Sequence, residues 1–218
     1  MGTSNHDIFA TEKLCYTASR TELTHLVPET AQHILDVGCA RGYLGKMLKS
    51  HRDVEVIGIE INAQMAREAN MYLDKVFQAN VESFVPPVPL GYFDCIIFAD
   101  ILEHLVDPWD VLRKYVGFLS PSGMTLLSIP NVQHYRVIGH LLLGEWEYQE
   151  SGILDSTHLR FFTLTSIKGL LESANLEPVR IERIYRARRI ARWVNKLCFN
   201  RLEMFLAQQY VIQAKKKP

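Results

Sequence analysis

Apolar residues gather along this chain in short, nearly unbroken runs, separated by stretches in which they recur every three or four positions. The runs at 33–38, 55–61, 75–79, 93–99 and 124–130 read as strands. They do not alternate with polar residues, as expected of parallel strands covered on both faces. Helical periodicity fills the intervals at 43–50, 63–73 and 109–119, and Asp107-Pro108 reads as the start of the last of these. Strand and helix in turn predict a doubly wound α/β sheet. Further on, 135–143 reads as helix, 144–162 as a long polar and aromatic loop of the kind that forms lids, and 165–174 as a helix that Thr163 or Thr165 can cap. Two more strand-like runs, 178–185 and 209–214, flank a basic amphipathic segment at about 187–203. Residues 1–30 read as an N-terminal helical flap ahead of one domain over 31–218.

Composition narrows the class. With 48% apolar residues over 218 positions the chain can bury a substantial core, which argues against disorder. Acidic and basic residues balance at 24 each, so no overall field favours nucleic acid or a membrane. The basic segment is the exception: Arg189, Arg192 and Lys196 lie largely off an apolar stripe of Ile190, Trp193, Val194, Leu197 and Cys198. Such a helix usually covers a sheet, and a peripheral membrane contact or an anionic partner is its alternative role. The four cysteines lack metal-type spacing. No signal-peptide pattern is present, and no apolar run approaches the roughly 20 residues that span a bilayer, so the default location is cytoplasmic.

Candidate chemistry begins where the first strand ends, in 34-ILDVGCARGYLG-45. Glycines between a strand and a helix let a ligand approach the backbone and the helix start. Two frames fit. Ala40-x-Gly42-x-x-Gly45 imitates a dinucleotide fingerprint, whereas Asp36-x-Gly38-x-Ala40-x-Gly42 places an acid two residues before the first glycine. A carboxylate there repels a pyrophosphate and suits a cation such as a sulfonium. Glu60, ending 57-IGIEIN-62, can accept from both hydroxyls of a ribose, which serves either cofactor.

The pattern resembles the class I S-adenosylmethionine-dependent methyltransferases over nearly the whole chain. The resemblance implies a Rossmann-like sheet, mostly parallel with an antiparallel C-terminal strand. It implies S-adenosyl-L-methionine as cofactor, held by Asp36, Gly38, Ala40 and Gly42, by Glu60 at the ribose with Ile61 beside it, and by Asn80, Val81 and Glu82 near the adenine, with Asp100 at the crevice mouth. Ala40 stands where the family has a glycine, and Asn80 where it often has an Asp. The segments 43-YLGKMLK-49, 100-DILEHLVDPW-109, 128-SIPNVQH-134 and 144-GEWEYQESGILDSTHLRFFT-163 resemble a narrower bacterial group found with glycosyltransferases in surface-polysaccharide pathways. That resemblance implies a sugar, glycan or glycolipid hydroxyl as acceptor and a glycosyltransferase as partner.

Asp100, Glu103 and His104 follow the fourth strand at i, i+3 and i+4, so a helix beginning at Asp100 would set all three on one face. The spacing resembles the Glu-x-x-Glu-His cluster of metal-assisted O-methyltransferases that act on catechols in ubiquinone biosynthesis or on small-RNA ends. In them a later histidine completes the site, which points to His158. A divalent cation such as Mg²⁺ on Asp100, Glu103, His104 and His158 is one reading. Metal-free catalysis by His104, His158 and Glu103 is a second, since Leu-Glu-His-Leu also occurs in class I enzymes without metal, and purely structural roles are a third. The acceptor alternatives are an aromatic or quinone-precursor hydroxyl, and a non-catalytic role as a cofactor-binding partner of a glycosyltransferase.

Overall fold

The computed structural model describes residues 21–185, 196 and 202–218. In chain order its elements are α1 (Thr21–Thr24), β1 (His33–Val37), α2 (Tyr43–His51), β2 (Glu55–Glu60), α3 (Ala63–Ala69), β3 (Lys75–Gln78) and β4 (Phe93–Ala99). A short 3₁₀ turn (Leu102–His104) leads to α4 (Pro108–Val116), β5 (Leu119–Pro130), α5 (Tyr135–Leu142), α6 (Leu164–Ser173), β6 (Leu176–Ile184), α7 (Glu203–Leu206) and β7 (Gln209–Lys216). The strands form one seven-stranded sheet in the order β3-β2-β1-β4-β5-β7-β6. From β3 to β5 every pairing is parallel, while β7 lies antiparallel to both β5 and β6. This is the predicted doubly wound α/β fold with its antiparallel C-terminal strand.

The unbroken apolar runs have a direct physical reading. Successive residues of β4 face opposite sides of the sheet, so Ile96 and Phe98 join the core on one side while Cys95, Ile97 and Ala99 join that on the other. Helices α4 and α6 close the first core through Val111, Leu112, Tyr115, Ile167, Leu170 and Leu171. Leu44 and Leu48 of α2, with Ala69 of α3, close the second. The C-terminal ends of the parallel strands carry the loops that follow them, the usual place for a ligand crevice in open α/β sheets.

Boundaries moved where local hydrogen bonds outweighed periodicity. The helix expected to reach residue 73 ends at Ala69 with Asn70 as its cap, and Leu73 packs between the backbones of Gly45 and Gly58. Asp107 caps α4 by accepting from the Asp110 N–H, and Pro108 occupies the first turn. Thr163, not Thr165, caps α6 in a capping box with Ser166. β5 starts at Leu119, five residues early, and its pairing with β4 slips between Phe93 and Cys95. The expected flap over 1–30 lies mostly outside the described residues; within them, Leu23, Leu26 and Val27 are buried against the second core. The basic segment at 187–203 also lies outside them, apart from Lys196, Leu202 and Glu203. Among the described residues no helix is long and apolar enough to cross a membrane.

Candidate functional site

The glycine turn after β1 is built from left-handed backbone. Gly38, Ala40 and Gly42 have φ of 74°, 47° and 75°. The first adjacent N–H groups, of Gly38 and Cys39, donate to the Ile59 carbonyl at 2.8 and 3.0 Å, closing the turn onto β2. Glu60 then ties two loops together: Oε2 accepts from the Ala40 N–H at 2.9 Å and Oε1 from the Asn62 N–H at 2.8 Å. That bond supports the unusual φ of Ala40, for which a side chain carries strain. Gly42 has a second reason to be glycine, because a Cβ there would stand 2.9 Å from the Ala69 Cα.

Two carboxylates flank this turn, while Arg41 within it is paired with Glu68 of α3. Asp36 is buried within β1 and Glu60 at the end of β2. Burial first, then the Asp36 and Glu60 carboxylates, push the Cys39 thiol well above its ordinary range. A crevice with this field suits a cationic ligand better than a pyrophosphate. Ile61 lies just beyond, 65% exposed, an apolar surface open to a planar ring.

The loop after β3 is held from the α4 side. Asn80 Oδ1 accepts from the Glu82 N–H, and the Val81 side chain is buried. Glu82, expected only as a neighbour of the adenine position, sends Oε1 to the N–H groups of Val106 and Asp107 at 3.0 Å each. Lys114 Nζ donates to the carbonyls of Val81 and Glu82 at 2.8 Å each. No pattern in the sequence signalled this brace, because its two ends are more than twenty residues apart.

The expected helical face of Asp100, Glu103 and His104 does not form. Asp100 is left-handed at φ 51°, and its N–H continues the β4–β5 ladder to the Ser128 carbonyl at 3.0 Å. Its Oδ1 accepts from Ser128 Oγ at 2.8 Å and from Gln209 Nε2 at 2.6 Å. The chain turns helical only afterwards, as the 3₁₀ turn at Leu102–His104. Asp100 is therefore drawn to β5 and β7, and it is not among the residues whose ligand-type atoms converge.

The other three do meet. One ligand-type atom from each of Glu103, His104 and His158 lies within 4.8 Å of the others, the one such group among the described residues that includes an acid and two imidazoles. His158 Nε2 is 4.0 Å from Glu103 Oε1, and the imidazoles of His104 and His158 sit edge to face at 4.7 Å. The loop bringing His158 here is stitched to the 3₁₀ turn, with the Leu159 and Arg160 N–H groups both donating to the Glu103 carbonyl at 2.8 and 3.0 Å. The Arg160 guanidinium donates to the Val106 carbonyl.

Hydrogen bonding orients both rings. His158 Nδ1 lies 3.0 Å from the Ile153 carbonyl and His104 Nδ1 lies 3.2 Å from the Thr157 carbonyl. A carbonyl oxygen can only accept, so each Nδ1 carries the proton and each neutral ring keeps its Nε2 lone pair. Burial first, then the neighbouring His158, hold the His104 imidazole below its ordinary range, which favours that neutral form. A histidine whose far nitrogen is fixed by a backbone carbonyl is the usual arrangement around a metal ion, and a carboxylate with two imidazoles suits Mn, Zn or Fe as well as Mg.

An aromatic rim adjoins the cluster. Phe161 faces His158 at 6.3 Å, and Trp146 stands edge-on over Phe161 at 5.3 Å. Tyr148 lies 6.5 Å from the same ring. Phe162, in contrast, is a core residue packed near Trp109. His134 caps α5, and Asn131 is fully buried, donating to the Met204 and Ala207 carbonyls at 2.8 and 2.7 Å. Both therefore have structural tasks at the end of β5.

Comparison with known proteins agrees with this layout. Along the chain, residues 9–181 match the methyltransferase domain family. A ubiquinone biosynthesis O-methyltransferase of Albidiferax ferrireducens is 29% identical over 116 residues, 50% of this chain and 45% of that protein. The 27-O-demethylrifamycin SV methyltransferase of Amycolatopsis mediterranei is 29% identical over 132 residues, 56% of this chain and 47% of that one. The chain thus spans about half the length of these relatives. In fold it is similar to the crystal structure of a SAM-dependent methyltransferase from Archaeoglobus fulgidus, with a TM-score of 0.73 at 20% identity, covering 96% of this chain and 100% of that one. With residues 9–181 matched, most of its length, the chain belongs to the methyltransferase domain family.

Proposed function

We propose that the chain transfers the methyl group of S-adenosylmethionine to a hydroxyl of an aromatic or quinone-type acceptor, assisted by a divalent cation on Glu103, His104 and His158. The observation carrying this reading is the convergence of that carboxylate and two oriented Nε2 lone pairs beyond β4, at the mouth of the crevice that holds the glycine turn.

Methyl transfer is an in-line displacement in which the hydroxyl oxygen gains the methyl group and the sulfonium sulfur keeps the electron pair of the broken bond. Products are the methyl ether, S-adenosylhomocysteine and one proton. Much of the acceleration comes from aligning donor and acceptor. Asp36 and Glu60 supply a negative environment for the cationic donor, and Glu60 has lone pairs left for a ribose after serving Ala40 and Asn62. Asn80, Val81 and Ile61 border the nucleobase end, and Asp100, held by Ser128 and Gln209, stands at the boundary with the acceptor. A bound cation supplies Lewis acidity that lowers the pKa of the acceptor hydroxyl. In a metal-free enzyme, the proton would pass instead to Nε2 of His104, which its neutral form leaves able to accept.

The acceptor class comes from two sources. Its glycan reading rests on the polysaccharide-associated resemblance alone. The two named relatives are a ubiquinone biosynthesis O-methyltransferase and a rifamycin methyltransferase, which favours the aromatic alternative. The rim of Trp146, Tyr148 and Phe161 beside His158 suits stacking on a flat ring. A competition assay with isotope-labelled S-adenosylmethionine, offering a catechol and a panel of nucleotide sugars and free sugars, checks this by mass spectrometry. Labelled methyl ether is expected on the catechol. Label on a sugar alone would replace the aromatic acceptor with the glycan one.

A further inference from the structure

Beyond the three residues of the cluster, the loop before His158 contains a charged brace that acts on His104. Asp155 Oδ1 accepts from the Thr157 N–H at 2.8 Å and from the Thr157 hydroxyl at 2.6 Å. The same hydroxyl oxygen lies 3.1 Å from His104 Nδ1. Its proton is already given to Asp155, so toward the imidazole it can only accept. Nδ1–H of His104 therefore meets two acceptors of one residue, the Thr157 carbonyl at 3.2 Å and its hydroxyl. The carboxylate fixes the direction of the hydroxyl, and the hydroxyl adds to the Thr157 carbonyl in holding the proton on Nδ1.

We infer that Asp155 and Thr157 are positioning residues for His104: through a carboxylate–hydroxyl–imidazole chain they hold its tautomer so that Nε2 points its lone pair at Glu103 and His158. This rests on the proposed role of that cluster as a cation site. Neither residue is one of the three converging ligand groups. Thr157 is exposed, and an exposed threonine in a loop has no packing reason to engage a half-buried ring. His158 needs no comparable device, because its Nδ1 bond to Ile153 runs within its own turn, beside the His158 N–H bond to the Asp155 carbonyl. His104, by contrast, must be held across a gap of 53 residues. A polarised acceptor on the far nitrogen also makes Nε2 a better ligand, and removing such partners commonly weakens metal affinity by about 10–100-fold.

The test uses the full chain as Thr157→Val, which keeps the shape and removes the hydroxyl, with Thr157→Ser as the rescue. Nitrogen-15 correlation spectra of the imidazoles in metal-free protein read the His104 tautomer, and titration with Mn²⁺ reads affinity. Wild type and Thr157→Ser are expected to hold the Nδ1–H form. Thr157→Val keeps the carbonyl acceptor and loses the shorter hydroxyl bond, so part of the His104 population is expected to shift to Nε2–H, with a Mn²⁺ dissociation constant raised about 10–100-fold. A Thr157→Val spectrum with the wild-type tautomer overturns the inference. Failure of wild type to bind Mn²⁺ removes the cation reading instead, and the spectra of metal-free protein still decide the role of Thr157.

Discussion

Glu103→Gln is expected to lower kcat/KM for methyl transfer by about 10²–10⁴-fold, with the affinity for S-adenosylhomocysteine unchanged. The substitution is isosteric and removes one charge from a carboxylate that is only 1% exposed. The loop carrying His158 is held by the Glu103 carbonyl rather than its side chain, through the Leu159 and Arg160 N–H groups, so that anchor survives. What is lost is the anionic ligand beside His158 Nε2. Steady-state kinetics and calorimetry on the same preparation separate the two quantities. A parallel loss of cofactor affinity would mean that Glu103 serves the donor half of the crevice.

Glu60→Ala should show the converse, a cofactor affinity about 10²–10³-fold weaker. Charge-assisted hydrogen bonds are worth about 1.5–3 kcal/mol each. Glu60 makes two within the protein, one to each flank of the crevice, at Ala40 and Asn62. Without it the Ala40 backbone, at φ 47°, loses the bond that supports its strained conformation. A bound ribose would also lose its acceptor. Glu60→Gln, with one carbonyl oxygen to share among these donors, falls between Ala and wild type. Calorimetry with S-adenosylhomocysteine measures all three. Equal affinities across the series would place the cofactor elsewhere.

These two residues also mark what the chain reveals without coordinates. The place of Glu60 beside the glycine turn was legible because its signal is local: an acid ending a buried strand, in register with a glycine turn that follows the neighbouring strand. The parallel core was legible for the same reason, since strands buried on both faces cannot hide their composition. The conformation at Asp100 was not legible in helical spacing, because the backbone continues a strand ladder and then turns left-handed; its partners Ser128 and Gln209 lie 28 and 109 residues away. The Glu82 carboxylate likewise reaches the start of α4, more than twenty residues along the chain. Asp155-Ser156-Thr157 did carry a local signal, an Asp two residues before a hydroxyl residue, the pattern of an Asx turn. Its reach to His104 belongs to the tertiary fold alone.

The central claim is that a cation at Glu103, His104 and His158 activates a hydroxyl beside the methyl donor. Its most direct test is transfer of a labelled methyl group to a catechol after removal of bound metal with chelator, followed by titration back with Mg²⁺ or Mn²⁺. The account predicts that transfer is lost in chelator and restored by the ion, while S-adenosylhomocysteine still binds throughout. Full transfer in chelator, by protein shown to contain no metal, would contradict it.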